Sequence, residues 1–576
     1  MIWWLSQPSR ARSERLAVAE LSQRHEWLRD VKWEVVGEAR LSADFGIEHL
    51  GKVIPMTMIF PSFFPDTPPQ VKPREEIWLS GHQYGVGGEL CLEYRPDNWE
   101  PTYTGAMMIE SAYRLITGEA PSPGITADVE TAHRSTPAQD VRNAKYRFLL
   151  TPDARAALTG LPLFVPVAFE LSERFEAGHW LALPRRFGDP TMPDWSCGPE
   201  VPKNRIRHGY VLRLPTSLRG RIDPGYEFLD ALAGSAGDAS FESAVRSSGE
   251  ELALLVECGG DVHVMSLGPG EGKRGVCSYR TVAIPGDERR QTAEYDRLVV
   301  ASVAIVGCGS VGSKIASSLA RAGVGNFVLV DGDMLHPGNL VRNDLDWRYV
   351  GLDKPDAVAR RIKEIRPSAI VAKRRILLGG QESAAATDAA LVAIGKCDLI
   401  VDATADGQVF NLCGAVARRE RKPMVWGEVL AGGVGGLMMR LRPDVEPVPH
   451  AARRQVMDWC TDHGRPPPEG AELRYGFAQG ADAPPLIADD TEVGLVAAYM
   501  ARFCIDVLSR SESIFPRSAY AVGFRAEWIF DAPFDTWPID FHAEGIWGPE
   551  KDDDLDGELA ALAAELFPQA LPDQPE

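Results

Sequence analysis

The sequence has no C-x-x-C pair among its nine cysteines, no apolar run approaching the roughly 20 residues of a membrane span, and no surplus of positive charge. Each absence removes a class. Cysteines scattered as singletons fit neither a disulfide framework nor a zinc site, so the thiols are expected to be reduced and most of them buried as small hydrophobes. The opening "MIWWLSQPSRARSER" has too short an apolar part for a signal peptide. The expectation is a cytoplasmic protein with no membrane partner. With 61 basic against 81 acidic residues the net charge is −20, which argues against a nucleic-acid groove and leaves no nucleic acid among the expected partners. Part of that charge sits in the tail, "EKDDDLDGE".

What is present is enough for several cores. At 576 residues, 45% hydrophobic and 25% charged, the chain reads as about three or four compact units. "RSERLAVAELSQRHEWLRD" predicts a helix with Leu16, Ala17, Leu21, Trp27 and Leu28 on one half of its circle. Three β-like runs follow ("VKWEVVGEARL", "FGIEHLG", "KVIPMTMIF"), then the proline-rich "FPSFFPDTPPQVKP", then "GELCLEYRPDNWEP" with Cys91 on a loop, then a helix over "TGAMMIESAYRLITG". This is a small α+β unit over 1–125. "GEAPSPGITADVETAHRST" reads as a linker. A β-rich linker domain is expected over 126–285, a spacer or docking unit without a chemical motif.

At "RLVVASVAIVGCGSVGSKIASSLARAGVGNFVLVDGD" the pattern changes to a buried strand, a glycine-rich turn, a helix and a second apolar strand ending in acids: one βαβ unit. "DAVARRIKEIRP", "CDLIVDATAD" and "KPMVWGEVL" continue a doubly wound α/β sheet over 286–548, before an acidic C-terminal tail at 549–576. In that tail Leu555, Leu559, Leu562 and Leu566 form one helical stripe, read either as a docking face or as a solvated helix. Gly307, Gly309 and Gly312 permit a tight turn and close approach of backbone to phosphate, with the helix N-terminus supplying positive dipole. Asp331, 24 residues after Gly307, is placed for a ribose. A nicotinamide dehydrogenase would look the same to this point. The residues that follow suit it less: Asp333, Asn339 and Arg342 share a loop with Asp331, Lys354 comes next, and Asp402 ends a strand. Arginine and lysine neutralise triphosphate charge, and a strand-end carboxylate can hold Mg²⁺.

The ordered set G-x-G-x-x-G, D-x-D, N-L-x-R, G-x-x-K and D-x-T resembles the ThiF-like adenylating fold of ubiquitin-activating enzymes and sulfur-carrier adenylyltransferases. The resemblance covers roughly 290–545. It implies ATP and Mg²⁺ as cofactors, with Asp331 on the ribose, Asn339, Arg342 and Lys354 on the phosphates and Asp402 on the metal, Thr404 completing its motif. Asn343 stands where the family commonly has Gln. The paired C-x-x-C zinc site of many members is absent. The resemblance also implies a homodimer in which the partner supplies an arginine; Arg297 is the candidate.

Phe64, Pro65, Pro68, Pro69, Gly88, Cys91, Leu92, Trp99 and Pro101 match a second pattern. They resemble the ubiquitin-conjugating fold over about 1–120, which implies that Cys91 receives a modifier as a thioester and presents it to an amine. The family's H-P-N turn is replaced by "GHQYG". Gln83 or His82 is the candidate for the hydrogen bond that the Asn gives to the oxyanion, with Tyr84 beside them. On the activating side a second cysteine is expected at Cys460, in a segment read as an irregular loop; otherwise the adenylate passes straight to Cys91. Cys308 lies in the phosphate turn, Cys397 and Cys413 in core elements and Cys504 in a helix.

The expectation is a conjugating–linker–activating fusion. It resembles the bacterial fusions of antiphage systems, which join a cGAS-like nucleotidyltransferase through its C-terminus, and related proteins that handle ubiquitin-like proteins. Partners are then one of those two modifiers and an acceptor protein amine. A nicotinamide oxidoreductase and a non-catalytic modifier-binding adaptor are the rival classes.

Overall fold

In a computed structural model the protein is a mixed α/β chain that divides into two compact units, 1–195 with 203–284, and 196–202 with 285–576. The structure describes residues 2–75, 77, 79, 82–85, 87–119, 141–142, 144–196, 205–218, 232, 234, 237–246, 251–269, 275–283, 291–430, 433–463, 488–549 and 555–567. Most of the expected linker at 118–136, the expected boundaries at 125 and 285, and the last nine residues of the acidic tail lie outside these.

After a single helical turn at Trp3–Ser6, the first unit has helix α1 (Pro8–Arg24) and a four-stranded antiparallel meander, β1 (Leu28–Val36), β2 (Arg40–His49), β3 (Lys52–Ile59) and β4 (Gln70–Pro73). A two-residue-per-strand hairpin, β5 (Gln83–Tyr84) with β6 (Glu89–Leu90), leads to Cys91, and α2 (Gly105–Glu119) follows. The order of elements is the expected one, but α1 is not. It ends at Arg24, so Trp27 falls outside it and Leu28 begins β1, while Leu16 is 63% exposed. The face turned inward is Glu14, Val18 and Leu21. The buried Glu14 carboxylate takes the Gly105 amide at 2.7 Å and the Arg10 guanidinium at 2.8 Å. A charged residue therefore occupies the core stripe because the first amide of α2 needs an acceptor. Trp27 stacks on Tyr113 of α2 at 4.0 Å instead of continuing the helix.

The same unit holds β7 (Tyr146–Leu150), α3 (Pro152–Gly160), β8 (Val167–Glu176), β9 (His179–Gly188), β10 (Pro193–Ser196), β11 (Arg205–Leu214), α4 (Ala239–Arg246), β12 (Leu252–Cys258), β13 (Asp261–Gly268) and β14 (Gly275–Ala283). The order is β10-β9-β7-β14-β13-β12-β11-β8, and β8 also pairs with β9. The sheet thus closes into a barrel with β10 appended, which removes the edges that an open β spacer would expose. One core fills it (Phe148, Leu171, Val211, Leu255), and a second packs outside around Phe241 of α4.

The second unit is built on an eight-stranded sheet of order β17-β16-β15-β18-β19-β20-β21-β22. Five strands are parallel: β15 (Ser302–Val306), β16 (Asn326–Val330), β17 (Ile370–Arg374), β18 (Leu399–Asp402) and β19 (Met424–Val429). The antiparallel β20 (Gly435–Leu441), β21 (Ala519–Gly523) and β22 (Thr536–Ile539) extend it. The doubly wound half is as the sequence predicts; the antiparallel half is not foreseen.

Helices α5 (Ser310–Ala322), α6 (Lys354–Ile365) and α10 (Asp490–Ser509) cover one face. On the other lie α7 (Ala384–Gly395), α8 (Gly407–Arg419) and α9 (Pro449–Asp462). Helix α11 (Leu555–Leu566) forms as its leucines suggest, with Leu559, Leu562 and Leu566 exposed.

Strand β20 is pinned to α10 by Arg440, whose guanidinium meets Asp506 and Ser513 inside the core and donates to the Phe515 carbonyl at 3.2 Å. Removing one partner leaves the other charge buried and unpaired. Asp506→Ala is expected to destabilise this unit by about 3–5 kcal/mol and to lower its thermal midpoint by several degrees, read by calorimetry of the full chain.

Candidate functional site

Strand order 17-16-15-18-19 reverses direction between β15 and β18, and at such a switch point the connections leave on opposite faces and open a crevice at the carboxyl ends of the strands. Here it is a cavity of about 570 Å³. Gly307 follows β15 with φ +88°, and a Cβ there would sit 2.8 Å from Thr404. At Gly312, in the first turn of α5, a Cβ would come within 1.8 Å of the Gly307 carbonyl oxygen. These two glycines let the turn fold onto itself. Gly309 differs: a Cβ there would meet nothing, because it would project into open space at the cavity wall. A bare backbone facing an open crevice at a helix N-terminus fits a phosphate group.

Asp331, just past β16, is half-buried. Its Oδ2 accepts the Cys308 amide at 2.7 Å and its Oδ1 the Asp333 amide at 2.8 Å, tying the glycine turn to the next strand. Burial pushes its carboxyl above the ordinary range, against the Lys354 charge and these amides. Asp333 Oδ2 in turn holds Lys354 Nζ at 2.6 Å, at the start of α6. Asn339 uses its Oδ1 to accept the His336 amide at 2.9 Å, which leaves its NH₂ for a ligand, and it lines the cavity with Arg342 and Asn343.

Asp402 ends β18, fully buried. Thr404 donates to its Oδ1 from both the amide (3.0 Å) and the hydroxyl (2.7 Å). Its Oδ2 is buried with no hydrogen-bond partner. Burial raises its carboxyl to about 6. An orphaned carboxylate oxygen at this place fits a cation ligand, so Asp402 suits the Mg²⁺ that the resemblance implies. The structure thus gathers Gly307, Gly309, Asp331, Asp333, Asn339, Arg342 and Lys354 on one cavity, with Gly312 and Asp402 beneath its wall. Glu428 and the segment Ile376–Gly380 also line it and were missed; no motif marks them. Arg297 is exposed in a short 3-10 helix before β15.

Cys460 requires a correction. It is not in an irregular loop but in the last turn of α9, fully buried among Val456, Leu441 and Met439, and burial pushes its thiol up to about 12. An apolar helix face, not the neighbouring proline-rich stretch, decides its place. Cys308, Cys397, Cys413 and Cys504 are buried as expected.

Cys91 lies just past β6, half-buried, on a cavity of about 630 Å³ shared with Tyr84, Tyr94, Arg95 and Asp97. Its amide donates to the His82 carbonyl at 2.7 Å. Burial raises its thiol pKa, Arg95 opposing and Asp97 reinforcing the shift. Gln83 cannot serve as the expected oxyanion donor: its NH₂ donates to the Ile77 carbonyl at 3.2 Å and the Gly88 carbonyl at 3.0 Å, and its Oε1 accepts the Leu79 amide. The amide braces the loop and has no proton left to give. His82 is buried with Nδ1 2.8 Å from Glu119. Hairpin register puts Tyr84 opposite Glu89 and therefore on the same face as Cys91, one diagonal step away.

These placements predict which thiols react. In the native chain, iodoacetamide is expected to label Cys91 and the half-buried Cys277 slowly at neutral pH, and Cys460 only after denaturation. Because both thiols' pKa values are raised, labelling should climb through the alkaline range without a plateau near neutrality. Peptide mass spectrometry checks both statements.

Comparison with known proteins agrees with the second unit. Residues 286–524 match the ThiF family. An uncharacterized protein, y4oA of Sinorhizobium fredii, is 29% identical over 31% of this chain and 34% of its own length. Ubiquitin-like modifier-activating enzyme 5 of Arabidopsis thaliana is 33% identical over 25% of this chain and 33% of its own. The ATP-dependent ubiquitin transferase-like protein Cap2 of Pseudomonas aeruginosa is 30% identical over 20% of each chain. The chain therefore spans between 20% and 34% of the length of these relatives. A crystal structure of E. coli MccB with ATP overlays 44% of this chain and 68% of its own at TM-score 0.34 and 16% identity, too loosely to carry an argument. Over residues 286–524 the chain carries a ThiF family domain.

Proposed function

We propose that the protein uses ATP to adenylate the C-terminal carboxylate of a partner protein and transfers that protein, through a thioester on Cys91, to an amine. The observation that supports it most is the convergence of a glycine turn open to a ligand and two cations on one cavity, with an orphaned strand-end carboxylate beneath its wall. A carboxylate oxygen attacks the α-phosphorus, the bond to pyrophosphate breaks, and an acyl-adenylate forms. Arg342 and Lys354 offset the charge of the phosphates, and Asn339 orients them. Asp331 and Asp402 take the ribose and metal roles that the family resemblance implies, and bound Mg²⁺ supplies further charge neutralisation. The Cys91 sulfur then attacks the acyl carbon, AMP departs and the thiol proton goes to solvent; an amine displaces the sulfur and restores the thiol.

The burial of Cys460 favours direct passage of the adenylate to Cys91 over an intermediate thioester. Arg297 as a finger given by a second copy, a homodimer, a ubiquitin-like or cGAS-like modifier, a role in antiviral defence and a cytoplasmic location belong to the same reading. The domain division 1–125, 126–285 and 286–548 is proposed with it. Two observations favour the adaptor alternative: the Gln83 amide is occupied, and burial raises the Cys91 thiol pKa.

Two experiments separate these readings. The full chain, incubated with ATP and each candidate modifier, is expected to give an adduct on Cys91 that reducing agents remove and Cys91→Ala abolishes. ATP–pyrophosphate exchange without any adduct leaves only the adenylating half. Asp402→Asn removes a buried charge with an unmet oxygen, so it is expected to stabilise the ligand-free chain by about 1–3 kcal/mol. It should also cut exchange by on the order of 100-fold. A fall in thermal midpoint for this variant would show that the charge is compensated in the fold.

A further inference from the structure

We propose that Glu428 joins Asp402 as a second carboxylate for the divalent cation, so that the cation is seated between the tips of β18 and β19. This deepens the adenylation reading and rests on it. Strands β18 and β19 are parallel, with Asp402 beside Trp426. Side chains alternate along a strand, so Glu428 lies on the same sheet face as Asp402, two residues nearer the carboxyl edge. Strand rise and spacing put the two Cα atoms about 8 Å apart, a gap that one Asp and one Glu side chain span with a cation between them.

Three further observations point to a cation. The Asp402 side chain is fully buried and its Oδ2 has no partner. Glu428 borders the cavity, and no described residue gives its carboxylate a hydrogen bond or an ion pair. Arg453 feels both carboxylates but pairs with neither. Its guanidinium lies over the Phe410 ring at 5.3 Å and against Gly407 at the start of α8, with its Nε buried and unbonded.

The charge of the cavity wall leads to the same place. Asp331, Asp333, Asp406 and Glu428 face it against Arg342 and Lys354, and Lys354 is already held by Asp333 at 2.6 Å. A triphosphate entering that wall needs positive charge the side chains do not supply. No three His, Cys, Asp or Glu groups gather among the described residues. Mg²⁺ is commonly held by one or two carboxylates with water and phosphate oxygens completing its octahedron, so two suffice.

The test uses the full chain and Mn²⁺ as the probe, free Mn²⁺ being read by electron paramagnetic resonance with and without α,β-methylene-ATP. Wild type is expected to bind Mn²⁺ with the nucleotide. Glu428→Gln should weaken that binding at least tenfold and Glu428→Asp less, while metal-free binding of a fluorescent ATP analogue in EDTA stays equal or tightens. Thermal midpoints in EDTA confirm that the variants fold. Mn²⁺ binding within twofold of wild type in Glu428→Gln, alongside its loss in Asp402→Asn, would overturn the proposal and leave the adenylation reading standing. Absence of nucleotide binding in wild type would overturn both.

Discussion

The second unit depends on the contact between Gly312 and the Gly307 carbonyl. A Cβ on Gly312 would lie 1.8 Å from that oxygen, so only glycine lets α5 begin directly against the turn that ends β15. Once the turn is closed, the Cys308 amide points at Asp331, which binds it and the Asp333 amide together; Asp333 then takes Lys354. Cys308, the Asp331–Asp333 pair and Lys354 become one chain of contacts running from a strand tip to the head of α6. The Lys354 cation on the cavity wall is therefore positioned by the backbone of the glycine turn, two carboxylates away.

That dependence explains what could be read from the residues alone. The glycine turn, D-x-D, N-L-x-R, Lys354 and Asp402 are legible because each answers a local demand: a backbone conformation, a strand end or a helix start. Glu428 answers none. It sits in an ordinary β run, "MVWGEV", and becomes notable only when β18 is laid beside it. Barrel closure is likewise invisible in sequence, since β8 meets β9 next to it and β11 some thirty residues on through patterns no different from those of an open sheet. Glu14 misleads for the same reason: a carboxylate on a core stripe has meaning only once Gly105 is seen to need it.

The chain carries a net charge of −20, yet global charge decides little at a crevice. What matters is that carboxylates without an ion pair lie on the cavity wall at Glu428 and beneath it at Asp402. Asp402 and Glu428 are both raised by burial and neither is neutralised by Arg453. A buried carboxylate oxygen without a partner costs stability and is expected where a ligand completes it. Arg440, equally buried, shows the contrast, since Asp506, Ser513, Ser518 and the Phe515 carbonyl surround it and nothing is left for a ligand.

The two cysteines singled out by sequence part along the same line. Cys460 is buried in an apolar core, and its thiol pKa is raised by burial, with the Glu428 carboxylate adding to the shift. Cys91 is half-buried between opposing charges, with Arg95 favouring the thiolate and Asp97 disfavouring it. In the proposed reaction a raised thiol pKa has two effects of opposite sign. It lowers the thiolate fraction that attacks, which matters little against an acyl-adenylate because a mixed anhydride is strongly activated. It also makes the sulfur a poorer leaving group, which slows loss of the thioester to water. A half-exposed thiol kept mostly protonated is thus suited to holding cargo, and the burden of releasing it shifts to whatever stabilises the oxyanion when the amine attacks. With the Gln83 amide spent on its own loop, that burden falls on the face of the hairpin that Tyr84 shares with Cys91.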